Sequence, residues 1–116
     1  MAVASEANSS QRREISSKFQ LKSHLDSVRG LLFVQNIDTM VSISEDCTVK
    51  LWSLKGLEQQ YEETEGNPEP YITIRGHTGP LFSITGPNNS HDKVIFTAGS
   101  EGVIRAFNIP QIHEVN

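Results

Sequence analysis

SISEDCTVKLW, Ser42 to Trp52, is the stretch whose reading decides the fold. Met40, Val41 and Ile43 on one side, and Val49, Leu51 and Trp52 on the other, read as two short strands of alternating apolar character. Glu45, Asp46, Cys47 and Thr48 between them form a polar cluster of the kind found in hairpin turns. The frame returns as TAGSEGVIRAF, Thr97 to Phe107. Ser42 matches Thr97, Ser44 matches Gly99, Asp46 matches Glu101, Val49 matches Ile104 and Trp52 matches Phe107, at a constant offset of 55 (97 − 42). Upstream, Ser23-His24 and Gly76-His77 match at an offset of 53 (76 − 23). A doubled frame of this length is the signature of a repeat architecture.

Working outward, the first round predicts a short strand at Lys18–Leu21, a polar loop at Ser23–Ser27, and strands at Val28–Phe33, Met40–Ser44 and Val49–Leu54. The second predicts strands at Tyr71–Arg75, Leu81–Thr85, Val94–Ala98 and Val103–Ile109, with turns at Gly76–Pro80 and Gly86–Asp92. Strands this apolar on both faces suit sheets packed between sheets. The expected organisation is a disordered tail at 1–17, repeat one at 18–54, an acidic loop at 55–70, repeat two at 71–109 and a polar end at 110–116. The tail holds too little apolar surface to offset the entropy of ordering it, and at most a short helix over Glu6–Ser16. Two prolines and two glycines mark Gly56–Pro70 as an exposed insertion. Within it Glu58, Tyr61, Glu62, Glu63 and Glu65 are the candidates for a partner-facing loop.

Composition bounds the function. The 116 residues carry a net charge of −4 without a Lys/Arg stripe, which argues against nucleic acid as a partner. Cys47 is the single cysteine, so no internal disulfide is possible and a reducing, cytoplasmic compartment fits. No apolar run reaches the ~18 residues of a membrane span, and Met1–Ser16 lacks a signal-peptide core. His24, His77, His91, His113 and Cys47 show no metal-ligand spacing, and no phosphate-cradling glycine motif is present. The expectation is therefore no cofactor and no metal.

These motifs resemble the WD-repeat β-propellers. That family's signature is Gly-His, three strands, an Asp in the turn before the third, and a closing Trp-Asp. Here copy one runs Ser23-His24, Ser42, Asp46, Trp52-Ser53, and copy two runs Gly76-His77, Thr97, Glu101, Phe107-Asn108; neither closes on Trp-Asp. The resemblance implies an all-β chain of about two propeller blades, each a four-stranded antiparallel sheet, and a hydrogen-bonded structural tetrad of His24, Ser42, Asp46 and Trp52. The degenerate second set would be His77, Thr97, Glu101 and Phe107. Phe107 has no N–H to give, and a bond of that kind contributes about 1 kcal/mol net, so the second blade is expected to be the softer.

KFQLKSHLDSVRGLLF, SEDCTVKLW and PYITIRGHTGPLFSI look like the opening repeats of one subfamily, the striatins. That likeness implies a non-catalytic protein–protein scaffold, tied to a type 2A phosphatase and to kinases in one assembly. The coiled-coil, calmodulin-binding and caveolin-binding segments of striatins have no counterpart here. Two blades fall short of the ~4–8 that close a propeller, so the chain is expected to need further blades or a partner to cover its edges, or to be a truncated product without independent function. A different class stays open from the residues alone: His24, Asp46 and Ser42 are also the residue types of a hydrolase triad.

Overall fold

Both hairpins form where the alternation places them, and each gains a strand in front. The structure is a computed structural model that describes residues 15, 20–63, 68–86 and 93–115. In the first copy β1 (Val28–Val34), β2 (Thr39–Ser44) and β3 (Val49–Ser53) run antiparallel, and β4 (Ile72–Ile74) adds beyond β3. In the second, β5 (Leu81–Thr85), β6 (Val94–Gly99) and β7 (Ile104–Asn108) make a three-stranded sheet. β4 opens the second repeat in sequence but pairs with the first sheet, Val49 opposite Ile74 and Leu51 opposite Ile72. Repeat and sheet are thus offset by one strand, which interlocks the two copies.

The registers superpose. Ser42 lies opposite Leu31 and Lys50, and Thr97 lies opposite Ile84 and Arg105; Met40 pairs with Trp52 as Ile95 pairs with Phe107. Even the irregularity recurs, a shift between Val28 and Gly30 in one sheet and between Leu81 and Ser83 in the other. Such bulges sharpen local twist, so both sheets bend at the same place.

Each hairpin turn uses one left-handed residue at the same repeat position. Cys47 has φ 75° and Gly102 has φ 78°, and an L side chain adopts this conformation at a cost that glycine avoids. Cys47→Gly is therefore expected to raise unfolding stability by about 0.5–1 kcal/mol, and Gly102→Ala to lower it by about 1 kcal/mol, measured by urea titration. No atom lies within 4 Å of a Cβ built on Gly102, so the second change reports backbone conformation alone.

The core lies between the sheets. Val41, Ile43, Val49 and Leu51 of the first are at 0% exposure, as are Leu81 and Ile95 of the second, and all belong to one apolar cluster with Ile84 and Phe107 packed against it. Tyr71 ties the ends together: its hydroxyl lies 2.9 Å from the Pro110 carbonyl oxygen, to which it donates, and 2.7 Å from Thr39 Oγ1 in β2.

Two expectations are corrected. The insertion read as an exposed loop over 55–70 begins as a helix, α1 (Leu54–Glu63). Ser53, standing where the family has Asp, caps it by accepting the Gly56 amide at 3.3 Å, and Asp38 Oδ2 accepts the Lys55 amide at 2.8 Å. That carboxylate also complements the positive end of the helix. Leu57 is buried, and Gln60 Oε1 takes the Glu69 amide at 2.7 Å. The prolines that suggested a loop, Pro68 and Pro70, lie beyond the helix. The strand expected at Lys18–Leu21 is also not found where it can be checked: Gln20 and Leu21 are in no strand, and Lys18 and Phe19 lie outside the described residues. So do the tail (Ile15 apart) and most of the Gly86–Asp92 turn. The polar end contains a short 3-10 turn, Ile112–Glu114.

Candidate functional site

The polar residues at matching repeat positions converge into two lines. In the first sheet the loop before β1 carries His24, β2 carries Ser42, the β2–β3 turn carries Asp46, and β3 carries Trp52. Asp46 Oδ2 lies 2.9 Å from His24 Nδ1, His24 Nε2 lies 2.7 Å from Ser42 Oγ, and Trp52 Nε1 lies 3.0 Å from the same Oγ. One arrangement of protons satisfies every member. The indole N–H donates to Ser42, Ser42 O–H donates to His24 Nε2, and His24 Nδ1–H donates to the Asp46 carboxylate. Trp52 and Ser42 are 1% and 3% exposed.

Asp46 is held from several directions. Thr48 O–H donates to its Oδ1 at 2.6 Å, the Thr48 amide donates to the same oxygen at 2.9 Å, and the Leu25 amide donates to Oδ2 at 2.9 Å. Burial alone would raise its carboxyl, but the bonds from Thr48, Leu25 and His24 together hold it well below the usual carboxylate range.

The second line is built alike with one member exchanged. His77 bonds Glu101 through Nδ1 and lies 2.6 Å from Thr97 Oγ1 through Nε2. The Thr78 amide and hydroxyl both donate to Glu101 Oε2 at 2.8 Å. The Thr78 amide, His77 and the Thr78 hydroxyl bring Glu101 down to about 2. Phe107 meets His77 edge-on, centroids 6.2 Å apart, and so replaces the indole N–H with an aromatic contact.

Both carboxyls sit below their values in an unfolded chain, about 3.9 and 4.3. As pH falls, the unfolded state takes up protons first, so stability falls with pH in that window. It is fully present above about 4.5 and lost progressively toward about 2. The urea midpoint is expected to decline over this range, and Asp46→Asn to make the decline shallower; a flat profile would contradict the bonding described.

Thr48, Tyr71 and Leu57 take part in this architecture without having been singled out from sequence. Thr48 follows Asp46 by two residues, the spacing at which an Asx side chain takes a backbone amide, and that signal was available. Glu58, Tyr61, Glu62 and Glu63 fall on α1, where their side chains are outside the described residues, as are Glu65 and His91. His113 sits in the C-terminal 3-10 turn and Cys47 in the first hairpin turn, so the structure does not bring those two to one centre. Among the described residues no helix is long and apolar enough to cross a membrane.

The family model described as "WD domain, G-beta repeat" matches residues 15–53 and 68–108. The chain is 39% identical over 98 residues to a striatin homolog of Dictyostelium discoideum, covering 80% of this chain and 12% of that protein. It is 31% identical over 97 residues to striatin of Homo sapiens, covering 84% of this chain and 12% of that protein. Striatin-3 of Bos taurus is 33% identical over 99 residues, with 85% of this chain and 12% of that protein covered. The chain thus spans about an eighth of the length of these relatives. Among solved structures, the crystal structure of the computationally designed Ika4 protein superposes with a TM-score of 0.59 at 16% identity, over 83% of this chain and 49% of that one, a likeness of fold.

Proposed function

Because the chain belongs to the WD-repeat family, we propose that it works as a non-catalytic protein-interaction scaffold of striatin type, with the two polar lines as its structural tetrads. The observation that carries this is the mutual saturation of the first line. Ser42 is the one hydroxyl that the order Asp46, His24, Ser42 would offer as a nucleophile. It is buried, and its oxygen already receives the Trp52 N–H at 3.0 Å. A triad serine needs a free approach to its oxygen. The same set, with Thr for Ser and Glu for Asp, recurs in the second sheet, as a packing device repeated per blade does and a single active site does not.

By likeness to the striatins, the partners are the phosphatase and kinase components of a type 2A phosphatase assembly in the cytoplasm. The acidic stretch of Glu58, Tyr61, Glu62, Glu63 and Glu65 is the proposed contact region. Charge in such a region acts mainly on the association rate. Biolayer interferometry of the immobilised chain against purified type 2A phosphatase core tests this. Binding is expected, with a slower on-rate in a variant carrying Glu58→Lys, Glu62→Lys and Glu65→Lys. Absence of binding would overturn the phosphatase assignment.

A further inference from the structure

Beside the first polar line a lysine is buried. Lys50 on β3 is 6% exposed, and its Nζ donates at 3.1 Å to Oγ1 of Thr73, its register partner on β4. An ammonium carries three N–H donors, and a buried charge is costly unless opposite charge and acceptors surround it. Among the described residues no carboxylate forms an ion pair with Lys50, nor with Arg75, the exposed residue that follows β4. At the matching position of the second sheet Arg105 does have such a partner, its Nη2 lying 3.8 Å from Glu101 Oε2.

Lys50 and Arg75 share an open pocket of about 310 Å³ with Ser23, Leu25, Asp46 and Thr48. Its walls are the loop before β1, the β2–β3 turn, β3 and the end of β4. The carboxylate in it is already committed. Asp46 Oδ1 takes the Thr48 hydroxyl and amide, and Oδ2 takes the Leu25 amide and His24 Nδ1. The pocket is thus lined by two cations and by one anion whose oxygens receive four donors. Burial pushes the Lys50 ammonium down, against the pull of Asp46 and with the Arg75 charge adding to the push, as an incompletely matched cation requires.

We infer that this pocket binds a phosphoryl group. Lys50 supplies a buried point charge, Arg75 a forked donor and Ser23 a hydroxyl. These donors come from separate walls, which suits a tetrahedral anion accepting in several directions better than a planar carboxylate. A phosphate monoester carries about −1.5 to −2 at pH 7, a match for two cations. The volume is at the small end of ligand sites, about 300–1,000 Å³, and leaves room for the group that bears the phosphate. That group is either a free small molecule or a phosphorylated side chain of a partner; the chemistry recognised is the same.

Urea unfolding of the 116-residue chain tests this in sodium phosphate and, separately, in O-phosphoserine, each against sodium chloride at matched ionic strength. Phosphate also stabilises proteins in general through its exclusion from their surface, so Lys50→Met and Arg75→Gln are measured alongside. Their fold is checked by circular dichroism and Trp52 fluorescence; if Lys50→Met is unfolded, Arg75→Gln, at an exposed position, carries the comparison. The wild-type midpoint is expected to rise with the logarithm of the anion concentration, and the apparent affinity to fall by about tenfold or more in each variant. A larger effect of phosphoserine than of phosphate assigns the pocket to phosphorylated side chains, and an equal or smaller one to the free anion. A midpoint that rises equally in the wild type and the variants, or one that neither anion moves, would overturn the proposal. So would a chain without a cooperative transition in any of the three salts, since it would hold no such pocket.

Discussion

His24→Ala is expected to lower the unfolding free energy by roughly 2–4 kcal/mol, among the largest single-residue effects in the chain. Among the described residues the imidazole is the group that joins Asp46 to Ser42, through bonds of 2.9 and 2.7 Å. Removing it leaves the buried Ser42 hydroxyl without its acceptor and the Asp46 carboxylate without its central partner. The residual bonds from Thr48 and the Leu25 amide keep the cost below that of stranding an isolated buried charge. The equivalent His77→Ala is expected to cost a similar amount, because His77 likewise joins the Glu101 carboxylate to the buried Thr97 hydroxyl. Urea midpoints followed by circular dichroism measure both, and a midpoint unchanged in either variant would contradict the bonding described.

Leu51→Ala is expected to cost about 2–5 kcal/mol, the range for a fully buried leucine whose neighbours cannot collapse into the space. Leu51 is at 0% exposure, paired to Val41 on one side and to Ile72 on the other, and joined to Leu81 and Ile95 through the shared core. Its loss is therefore expected to move both sheets in a single transition, with far-ultraviolet circular dichroism and Trp52 fluorescence tracing the same midpoint. Separate midpoints would mean that each sheet stands alone.

The parts legible in the sequence were those governed by local alternation and by the doubled frame. The hairpin from Met40 to Trp52 and its echo from Val94 to Phe107 needed only a period of two and a turn cluster. The residues that meet in the two polar lines were legible only through the likeness to the WD-repeat family, carried over position by position, since His24 and Ser42 are eighteen positions apart and nothing local links them. Two kinds of feature escaped. Helix α1 was masked by Gly56, by acidic composition and by the prolines that follow it, yet Ser53 as a cap and Leu57 against the sheet outweigh those signals. Tyr71 looked like one more strand residue; its bonds to Pro110 and Thr39 depend on where two distant segments end, which periodicity does not encode. The left-handed turn residue at position 47 was likewise concealed, because cysteine carries no turn signal where its counterpart Gly102 does.

The most direct test of the account is urea unfolding of Ser42→Ala beside the wild-type chain, followed by Trp52 fluorescence, since Trp52 is the single tryptophan and donates to the hydroxyl removed. The account predicts a midpoint lowered by the equivalent of about 1–3 kcal/mol, the cost of a buried N–H and a buried imidazole nitrogen each left without a partner. A midpoint equal to wild type, together with a hydrolytic turnover that the wild-type chain shows and the variant lacks, would contradict the structural role of the tetrad and with it the scaffold reading.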